Sequence, residues 1–326
     1  IYMCYNPLTV TIKEPNATGG IRRVAVPCGK CFACLKDYQN AWSIRIQEEF
    51  KHYGYGYFFT LTYNNDCVPL VCDSYSGLLY MSVCKSHVQN WIKRFRTRLS
   101  RQEGETKEGI KYFITSEYGP RTLRPHYHGV IFGVDDIEFR LLLSDWNSRF
   151  GFSTYRLITA CNCGSASRYV AKYCSKGFFK NPYEVQGIVK PTFHLVSKGF
   201  GLTYVERMRD YHLAADCSIN PRLDRYYQRV GDRSRVYIGK FGYKMPRYYK
   251  TKIYGEKTRL SHKVADYLHS ESDKFRDSSL ARIQSERNCT LSEAIHILDL
   301  QNDSERLCRE REIRKTLGDS YDKSQI

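Results

Sequence analysis

The sequence predicts an α+β fold in which an antiparallel sheet of four to five strands packs with helices, followed by a helical C-terminal extension. Three observations lead to this fold class. Short runs rich in aromatic and β-branched residues have the composition of strands. Longer runs place apolar residues at the spacing of an amphipathic helix. Between residues 57 and 176 these runs follow the order strand, helix, strand, strand, helix, strand, helix.

The first strand and the first helix of this order are well marked. The run "YFFTLTY", Tyr57 to Tyr63, is aromatic and β-branched, which is typical of a buried strand. The run "KSHVQNWIKRFRTRLS" spaces its apolar residues along one helix face and leaves basic residues on the others, namely Lys93, Arg94, Arg96 and Arg98. We therefore expect a helix with a basic exterior.

The remaining runs complete the pattern. "KYFITSE" and "HYHGVIFG" are strand-like, and the turn-rich "YGPRTLRP" between them favours an antiparallel pair. The helix "DIEFRLLLSDWNSRF" starts on acids, the strand "GFSTYRLI" follows, and "SASRYVAKYCSK" is a helix that starts near Gly164 and stops at Gly177. The first six elements match the split βαβ of ferredoxin-like and RRM-like folds, with the helices on one face of the sheet.

Composition divides the chain into four segments. A cysteine-rich segment and a helix occupy residues 1–50, the α+β core 51–180, a basic tyrosine-rich extension 181–255, and a helical tail 256–326. In the tail, "TLSE" at Thr290 to Glu293 has the pattern of a capping box before an apolar helical run. The tail is interpreted either as a docking surface for partners or as a solvated cap.

The positive charge lies upstream of the tail. The formal net charge is +17, and from Glu256 onward 13 Lys and Arg residues oppose 14 Asp and Glu residues, so the tail carries −1 and residues 1–255 carry +18. A basic surface of this size indicates a polyanionic partner, usually a nucleic acid. With no export signal and no apolar run of membrane length, we expect a soluble intracellular protein whose 13 cysteines are thiols or metal ligands.

Two histidines in "RPHYHGV" form the first candidate site. Alternation along a strand places His126 and His128 on one side and Tyr127 on the other. An antiparallel pairing brings Glu117 beside them, and two imidazoles with one carboxylate suit Mn²⁺ or Mg²⁺. The alternatives are a surface pair of histidines on an edge strand and, for Glu117, a salt-bridged surface acid.

Two tyrosines in "YVAKY" form the second candidate site. Tyr169 and Tyr173 are four residues apart and so lie one above the other on a helix face. A phenol is a nucleophile toward a phosphodiester that a metal ion polarises. Lys172 and Lys176 would favour the phenolate and offset the charge that develops on phosphorus. The alternative is a tyrosine pair that packs its rings against the sheet.

The motifs resemble those of a known family. "FFTLTY", "RPHYHGVIFG" and "YVAKYCSK" are similar, in order and separation, to the three motifs of HUH endonucleases, and most similar to the rolling-circle replication initiators of gokushovirus-type Microviridae. Together with "CGKCFAC" the resemblance covers roughly residues 28–176. One departure is Tyr127, because the central residue of the histidine motif is usually hydrophobic in this family.

The resemblance implies an enzyme that nicks and religates single-stranded DNA at a viral origin through 5′-phosphotyrosine intermediates. Tyr169 and Tyr173 would then alternate as nucleophiles, and His126, His128 and Glu117 would hold the divalent metal ion. Residues 51–180 would be the nuclease core. The implied partners are origin DNA and a host replication helicase and polymerase in the bacterial cytoplasm, since the chain contains no phosphate loop of its own.

A cysteine cluster forms a third candidate site. Cys28, Cys31 and Cys34 in "CGKCFAC", together with Cys4, have the number and spacing for a structural Zn²⁺ site. The alternative is a set of reduced, partly buried thiols. "CNC", at Cys161 and Cys163, is a weaker pattern of the same kind.

Predicted DNA contacts extend beyond the core. Tyrosines interleaved with Lys and Arg between residues 226 and 254 suit single-stranded DNA, because rings stack on unpaired bases while cations follow the backbone. The alternative is a hairpin-rich core extension with half-buried tyrosines. The residues predicted to contact DNA are Lys93, Arg94, Arg121, Arg124, Tyr226, Tyr227, Arg235, Lys240 and Lys244.

Two other functions compete with a rolling-circle initiator. An HUH transposase is related, but transposases of this type usually carry a single catalytic tyrosine. A non-catalytic RNA- or DNA-binding protein would use the sheet as a platform, the cysteine cluster as a zinc knuckle and the tyrosines as core residues. The sequence predicts no oligomeric state.

Overall fold

The computed structural model describes residues 8–13, 21–29, 32–103, 109–119, 121–176, 182–213, 235–238, 241–254, 277–298 and 300–301. The chain divides into two compact units. Tyr38–His212 and Tyr237–Pro246 form one of them, which we call the core unit, and it contains the predicted histidine and tyrosine sites. None of the described helices is both long enough and apolar enough to cross a membrane.

The elements have the following bounds. The strands are β1 (Leu8–Lys13), β2 (Ile21–Val26), β3 (Gly56–Tyr63), β4 (Leu70–Cys72), β5 (Leu79–Met81), β6 (Lys111–Tyr118), β7 (Pro125–Phe132), β8 (Gly151–Ile158), β9 (His194–Val196), β10 (Arg235–Ile238) and β11 (Phe241–Lys244). The helices are α1 (Phe32–Tyr53), α2 (Lys85–Glu103), α3 (Asp136–Arg149), α4 (Cys163–Lys176), α5 (Pro182–Val185), α6 (Leu202–Leu213) and α7 (Arg247–Tyr254). Residues 277–287 and 291–298 are also helical.

The central sheet confirms the predicted fold class. Its strands lie in the order β8-β3-β7-β6-β9, and every neighbouring pair is antiparallel. The first four strands of that order, with α2 and α3, form the expected split βαβ unit. The fifth strand, β9, pairs with β6 through Phe113, Ile114 and Thr115.

Helices cover both faces of the sheet, whereas the sequence pattern predicted helices on one face. On the first face, Phe59 and Tyr127 pack with Trp91 of α2 and Trp146 of α3. On the other face, which carries His126 and His128 and is called the histidine face below, the apolar partners come from α1 and α4. Trp42 of α1 and Val170 and Ala171 of α4 pack there with the strand residues Phe113, Val130 and Phe132. Strands with apolar residues at successive positions must be covered on both sides.

Short hairpins escaped the sequence pattern. The segment between β3 and α2, where no strand was predicted, contains the two-stranded sheet β4–β5. The N-terminal strands β1 and β2 form another antiparallel pair. In the tail the predicted capping box is confirmed, because the backbone N–H of Glu293 donates to Thr290 Oγ1 and that of Thr290 donates to Glu293 Oε2.

Gly129 lets β7 approach the core of the first face. A Cβ at this position would lie 2.5 Å from the ring of Phe59, which packs edge-on against Trp91. We expect Gly129→Ala to lower the free energy of unfolding by about 1–3 kcal/mol, because the ring must shift within a packed core. The measurement is the denaturant midpoint of the purified protein.

Gly164→Ala is the matched control for this prediction. A Cβ on Gly164, in the first turn of α4, would meet only the guanidinium of Arg168, at 3.6 Å. The denaturant midpoint of this variant should be unchanged or raised, since alanine reduces the conformational entropy of the unfolded chain and favours a helix. Equal midpoints for the Gly129→Ala variant and the wild type would contradict the packing.

Candidate functional site

The pairing of β6 with β7 places the predicted acid beside the histidines. Glu117 lies opposite His126, and Thr115 lies opposite His128. The turn that sets this register is closed by the N–H of Gly119, which donates to the carbonyl of Arg124 at 2.9 Å. The strand β7 is central in the sheet, so the alternative of an edge-strand surface pair is wrong.

Two threonines of β3 orient the imidazoles. Thr60 Oγ1 lies 3.0 Å from Nδ1 of His128, and Thr62 Oγ1 lies 3.0 Å from Nδ1 of His126. With Nδ1 of each ring engaged on the β3 side, Nε2 is left for the β6 side. Hydrogen bonds of this kind fix the tautomer and the direction of metal-binding histidines.

On the β6 side, the carboxylate of Glu117 faces one histidine and Gly119, which has no side chain, faces the other. Nε2 of His128 lies 3.1 Å from Oε2 of Glu117, and both side chains are buried. Nε2 of His126 faces Gly119, where an added Cβ would come within 3.1 Å of it. Glu117 is therefore not a surface acid, and a residue without a side chain keeps the second imidazole accessible.

The surroundings of His126 favour its neutral form. Burial lowers the pKa of His126, and the neighbouring His128 and Arg124 lower it as well, against an opposing effect of Glu117. A positive charge on His126 is thus unfavourable. Neutral imidazole is the form that coordinates metal ions.

The two imidazoles and the carboxylate of Glu117 are side-chain types that bind divalent cations. Two Nε2 atoms oriented through Nδ1 and one buried carboxylate are ligands suited to Mn²⁺ or Mg²⁺. The ring centroids of His126 and His128 are 6.5 Å apart, and among the residues that the structure describes no three His, Cys, Asp or Glu side chains are grouped closely enough to hold an ion. Metal binding by His126, His128 and Glu117 therefore stays a prediction.

Both tyrosines of α4 lie against this cluster. The ring of Tyr173 stacks on that of His128, with centroids 4.0 Å apart and planes 14° from parallel. Its hydroxyl donates to the hydroxyl of Tyr169 at 2.5 Å. The Tyr169 ring meets Phe58 edge-on at 5.4 Å and is 49% exposed, whereas Tyr173 is 8% exposed. The pair thus joins the buried histidine to solvent.

Small residues hold α4 close to the sheet and to α1. Val170 and Ala171 are fully buried in the core of the histidine face. The hydroxyl of Ser167 lies 3.2 Å from that of Ser43 on α1, and both are buried. This packing fixes the helix and so directs Tyr173 onto the imidazole.

Burial sets the protonation of Tyr173. It raises the pKa of this phenol, and the hydrogen bond to Tyr169 and the charge of Glu117 raise it further. The expectation that lysines favour the phenolate is therefore not met at Tyr173. Lys172 is exposed, and the side chain of Lys176 lies outside the described residues.

Arg124 and Arg94, which are among the predicted DNA contacts, form bonds within the protein. Arg124 donates to the carbonyl of Tyr63 at 2.7 Å and also to Oδ1 of Asn65, which ties the start of β7 to the end of β3. Arg94 forms a salt bridge of 2.7 Å with Asp145 of α3. A DNA contact of either residue would have to coexist with these bonds.

The other predicted DNA contacts are distributed as follows. Lys93, Arg121 and Lys244 are exposed, and Arg235 is half-buried. Tyr226, Tyr227 and Lys240 lie outside the described residues. DNA binding by all of these residues stays a prediction.

The cysteine sites are described only in part. Cys34 is buried and Cys28 is half-buried, while Cys4 and Cys31 lie outside the described residues, so zinc binding stays a prediction. In "CNC", Cys161 is exposed whereas Cys163 is buried in the core of the histidine face. Burial raises the pKa of Cys163 to about 11, as for a structural thiol.

The threonines are the functional residues that the sequence reasoning missed. Thr60 and Thr62 alternate with apolar residues in "FFTLTY", so a polar row on one face of β3 was visible. That these threonines face the two histidines depends on the register of β3 with β7. The sequence of β3 alone does not specify this register.

The segment that holds this geometry matches a protein family. Residues 56–178 match the family model of the ORF2-type replication-associated protein. Over this segment the chain is similar to the replication-associated proteins that the family model describes. The matched segment runs from β3 past α4 and so contains the histidines, Glu117 and both tyrosines.

Two replication-associated proteins are similar to this chain over different lengths. Replication-associated protein ORF2 of Spiroplasma virus 4 is 28% identical over 273 residues, which are 77% of this chain and 82% of that protein. Replication-associated protein VP4 of Bdellovibrio phage phiMH2K is 31% identical over 109 residues, which are 33% of this chain and 31% of that protein. No solved structure matches the chain.

Proposed function

We propose that this protein initiates rolling-circle replication by nicking single-stranded DNA at a phage origin and later rejoining the strand. The observation that carries the proposal is the stack of Tyr173 on His128, with Tyr169 hydrogen-bonded beside it. A nucleophile for phosphorus thereby adjoins a cluster of the kind that holds a divalent ion.

The covalent step conserves all atoms. A phenol oxygen of the protein attacks the phosphorus of one phosphodiester, the bond from phosphorus to the 3′ oxygen breaks, and the phenolic proton is transferred to that oxygen. The products are a 5′-phosphotyrosine and a free 3′-hydroxyl. Attack of a 3′-hydroxyl on the phosphotyrosine reverses the reaction and closes a strand.

Three residues would hold the metal ion. His126, His128 and Glu117 are the proposed ligands, and Thr60 and Thr62 contact Nδ1 of the two rings. When bound, Mg²⁺ or Mn²⁺ polarises the scissile phosphate as a Lewis acid.

Tyr169 is proposed as the first nucleophile. It is 49% exposed and accepts the hydrogen bond from Tyr173, whereas Tyr173 is 8% exposed. Because the pKa of Tyr173 is raised, this residue stays a phenol and serves as a donor to the oxygen of Tyr169. Tyr173 would attack second, once Tyr169 is esterified.

The proposed partners follow from the product. A free 3′-hydroxyl on origin DNA is a primer, so a host polymerase would extend it and a host helicase would separate the strands in the bacterial cytoplasm. Single-stranded DNA is the proposed substrate, and the exposed ring of Tyr169 beside Phe58 is where an unpaired strand would reach the protein.

The first prediction assigns the two tyrosines. The protein, incubated with a labelled single-stranded origin fragment and Mn²⁺, should give a covalent protein–DNA band on a denaturing gel. Tyr169→Phe should abolish that band, Tyr173→Phe should retain it, and the double variant should give none. A band from the double variant would exclude these phenols, and the absence of any band from wild type would favour a non-catalytic binding protein.

The second prediction concerns the threonines. Thr60→Val and Thr62→Val keep the side-chain shape but remove the partner of Nδ1, so Mn²⁺ affinity measured by calorimetry should fall roughly 10- to 100-fold. Thr154→Val is the control, because Thr154 pairs with Thr60 in the sheet but is exposed on β8. Unchanged affinity in folded Thr60→Val protein would argue against histidine coordination.

The third prediction concerns the basic exterior of α2. Lys93, Arg98 and Arg101 are exposed along one groove of this helix, and in the part of the chain that the structure describes none of them forms a salt bridge. Replacing all three with alanine should lower the salt dependence of single-stranded DNA binding by about 2 in log–log slope, if each neutralises one phosphate. Fluorescence anisotropy at several salt concentrations measures it.

Arg140→Ala is the control for α2. Arg140 is exposed on α3 and pairs with Asp136 at 2.8 Å, so its removal should leave the slope nearly unchanged. Equal slopes for the triple variant and the wild type would show that DNA does not cross α2.

A further inference from the structure

The edge strand β8 carries an exposed strip on the histidine face. Phe152, Thr154 and Arg156 occupy alternate positions, so their side chains project to the same side. In the register with β3, Phe152 lies opposite Thr62 and Thr154 lies opposite Thr60. All three residues of the strip are exposed, and Phe152 is 66% exposed.

This strip is in line with the histidines. Phe152, Thr62, His126 and Glu117 form one continuous row across four strands. Two strand spacings separate Phe152 from His126, which is roughly 10 Å between their backbones. A strand whose phosphate lies at the histidines can therefore place a neighbouring base over the phenylalanine.

Protein packing does not account for Phe152. Helix α4 contacts β6 and β7, and the buried core of the histidine face includes Ile158 at the end of β8 but not Phe152. On the opposite face of the same strand, by contrast, Tyr155 packs edge-on against Phe139 at 5.3 Å. The ring of Phe152 is two-thirds exposed at the rim of the site, so it is accessible to a ligand there.

The neighbouring residues identify the kind of ligand. Arg156 follows Phe152 by four residues on the same side, and among the described residues it forms no salt bridge. An exposed ring beside an exposed guanidinium matches single-stranded DNA, whose bases stack on aromatic rings while its phosphates pair with cations. Duplex DNA would not stack on the ring of Phe152, because its bases already stack on each other within the helix.

We propose that Phe152 stacks on an unpaired base next to the scissile phosphate and that Arg156 binds a phosphate of the same strand. This inference rests on the proposed function, since it takes the histidines and tyrosines as the place of the scissile phosphate. It makes the uncovered edge of the sheet a subsite that positions DNA before the covalent step.

A tryptophan reporter tests the stacking. The three native tryptophans, Trp42, Trp91 and Trp146, are buried. In a Tyr169→Phe, Tyr173→Phe background with EDTA present, the Phe152→Trp protein should lose fluorescence when a single-stranded origin oligonucleotide is added. The duplex of the same sequence should quench it far less.

Leu157→Trp is the matched control. Leu157 lies on the same strand, points to the opposite face and is 47% exposed. Its variant should show little quenching. Equal quenching of both variants would overturn the proposal, as would quenching of neither.

Affinity provides the second measurement. Phe152→Ala should weaken single-stranded DNA binding by about tenfold, in keeping with the loss of one stacked base, and Phe152→Tyr should retain it. An unchanged affinity in Phe152→Ala would overturn the proposal. So would self-association of the wild type, seen by sedimentation and lost in Phe152→Ala, because the ring would then bind a second copy.

The outcomes separate this inference from the proposed nicking activity. Neither measurement involves cleavage. A covalent band from wild type without quenching of the Phe152→Trp protein would reject the subsite alone. Quenching and weakened binding without any covalent band would reject the nicking activity and leave Phe152 as a DNA contact.

Discussion

The register of β7 between β3 and β6 is the constraint on which the site depends. It aligns Thr62, His126 and Glu117 in one row across the sheet. A shift of either pairing by one residue would turn the threonines or the acid to the opposite face, since side chains alternate along a strand. The turn after β6 and the bonds from Arg124 to the end of β3 stabilise this register, so residues outside the cluster keep its parts together.

The helices that pack on each side of the central sheet give its two faces different properties. The face under α2 and α3 is closed by large apolar rings such as Trp91 and Trp146. On the histidine face, α4 seals one part with Val170 and Ala171 and offers tyrosine rings to the part that stays polar. The polar cluster is therefore partly desolvated, which lowers the pKa of His126 and raises that of Tyr173.

Long periodic elements could be predicted from the sequence, and short ones could not. The strands β3, β6, β7 and β8 each span eight residues, enough for aromatic and β-branched composition to accumulate. The strands β4, β5 and β9 span three residues each and form only because a partner strand lies beside them. The sequence did not predict that helices cover both faces of the sheet, because the split βαβ pattern by itself specifies only α2 and α3.

The site could be predicted in its parts but not in its connections. The spacing of His126 and His128 and of Tyr169 and Tyr173 is local, so the sequence contains it. The orientation of the imidazoles by threonines and the stacking of Tyr173 on His128 join residues far apart in the chain. The raised pKa of Tyr173 follows from burial, whereas the lysines near it in the sequence predicted a phenolate.

The hydrogen bond between the two phenols couples their states. While both are unmodified, Tyr173 directs its proton to the oxygen of Tyr169. Under the proposed chemistry an ester at Tyr169 turns that oxygen into a poorer acceptor, so the proton of Tyr173 becomes available for transfer elsewhere. The hydrogen bond of 2.5 Å would then set the order of the two reactions, because Tyr173 could react only after a strand is attached to Tyr169.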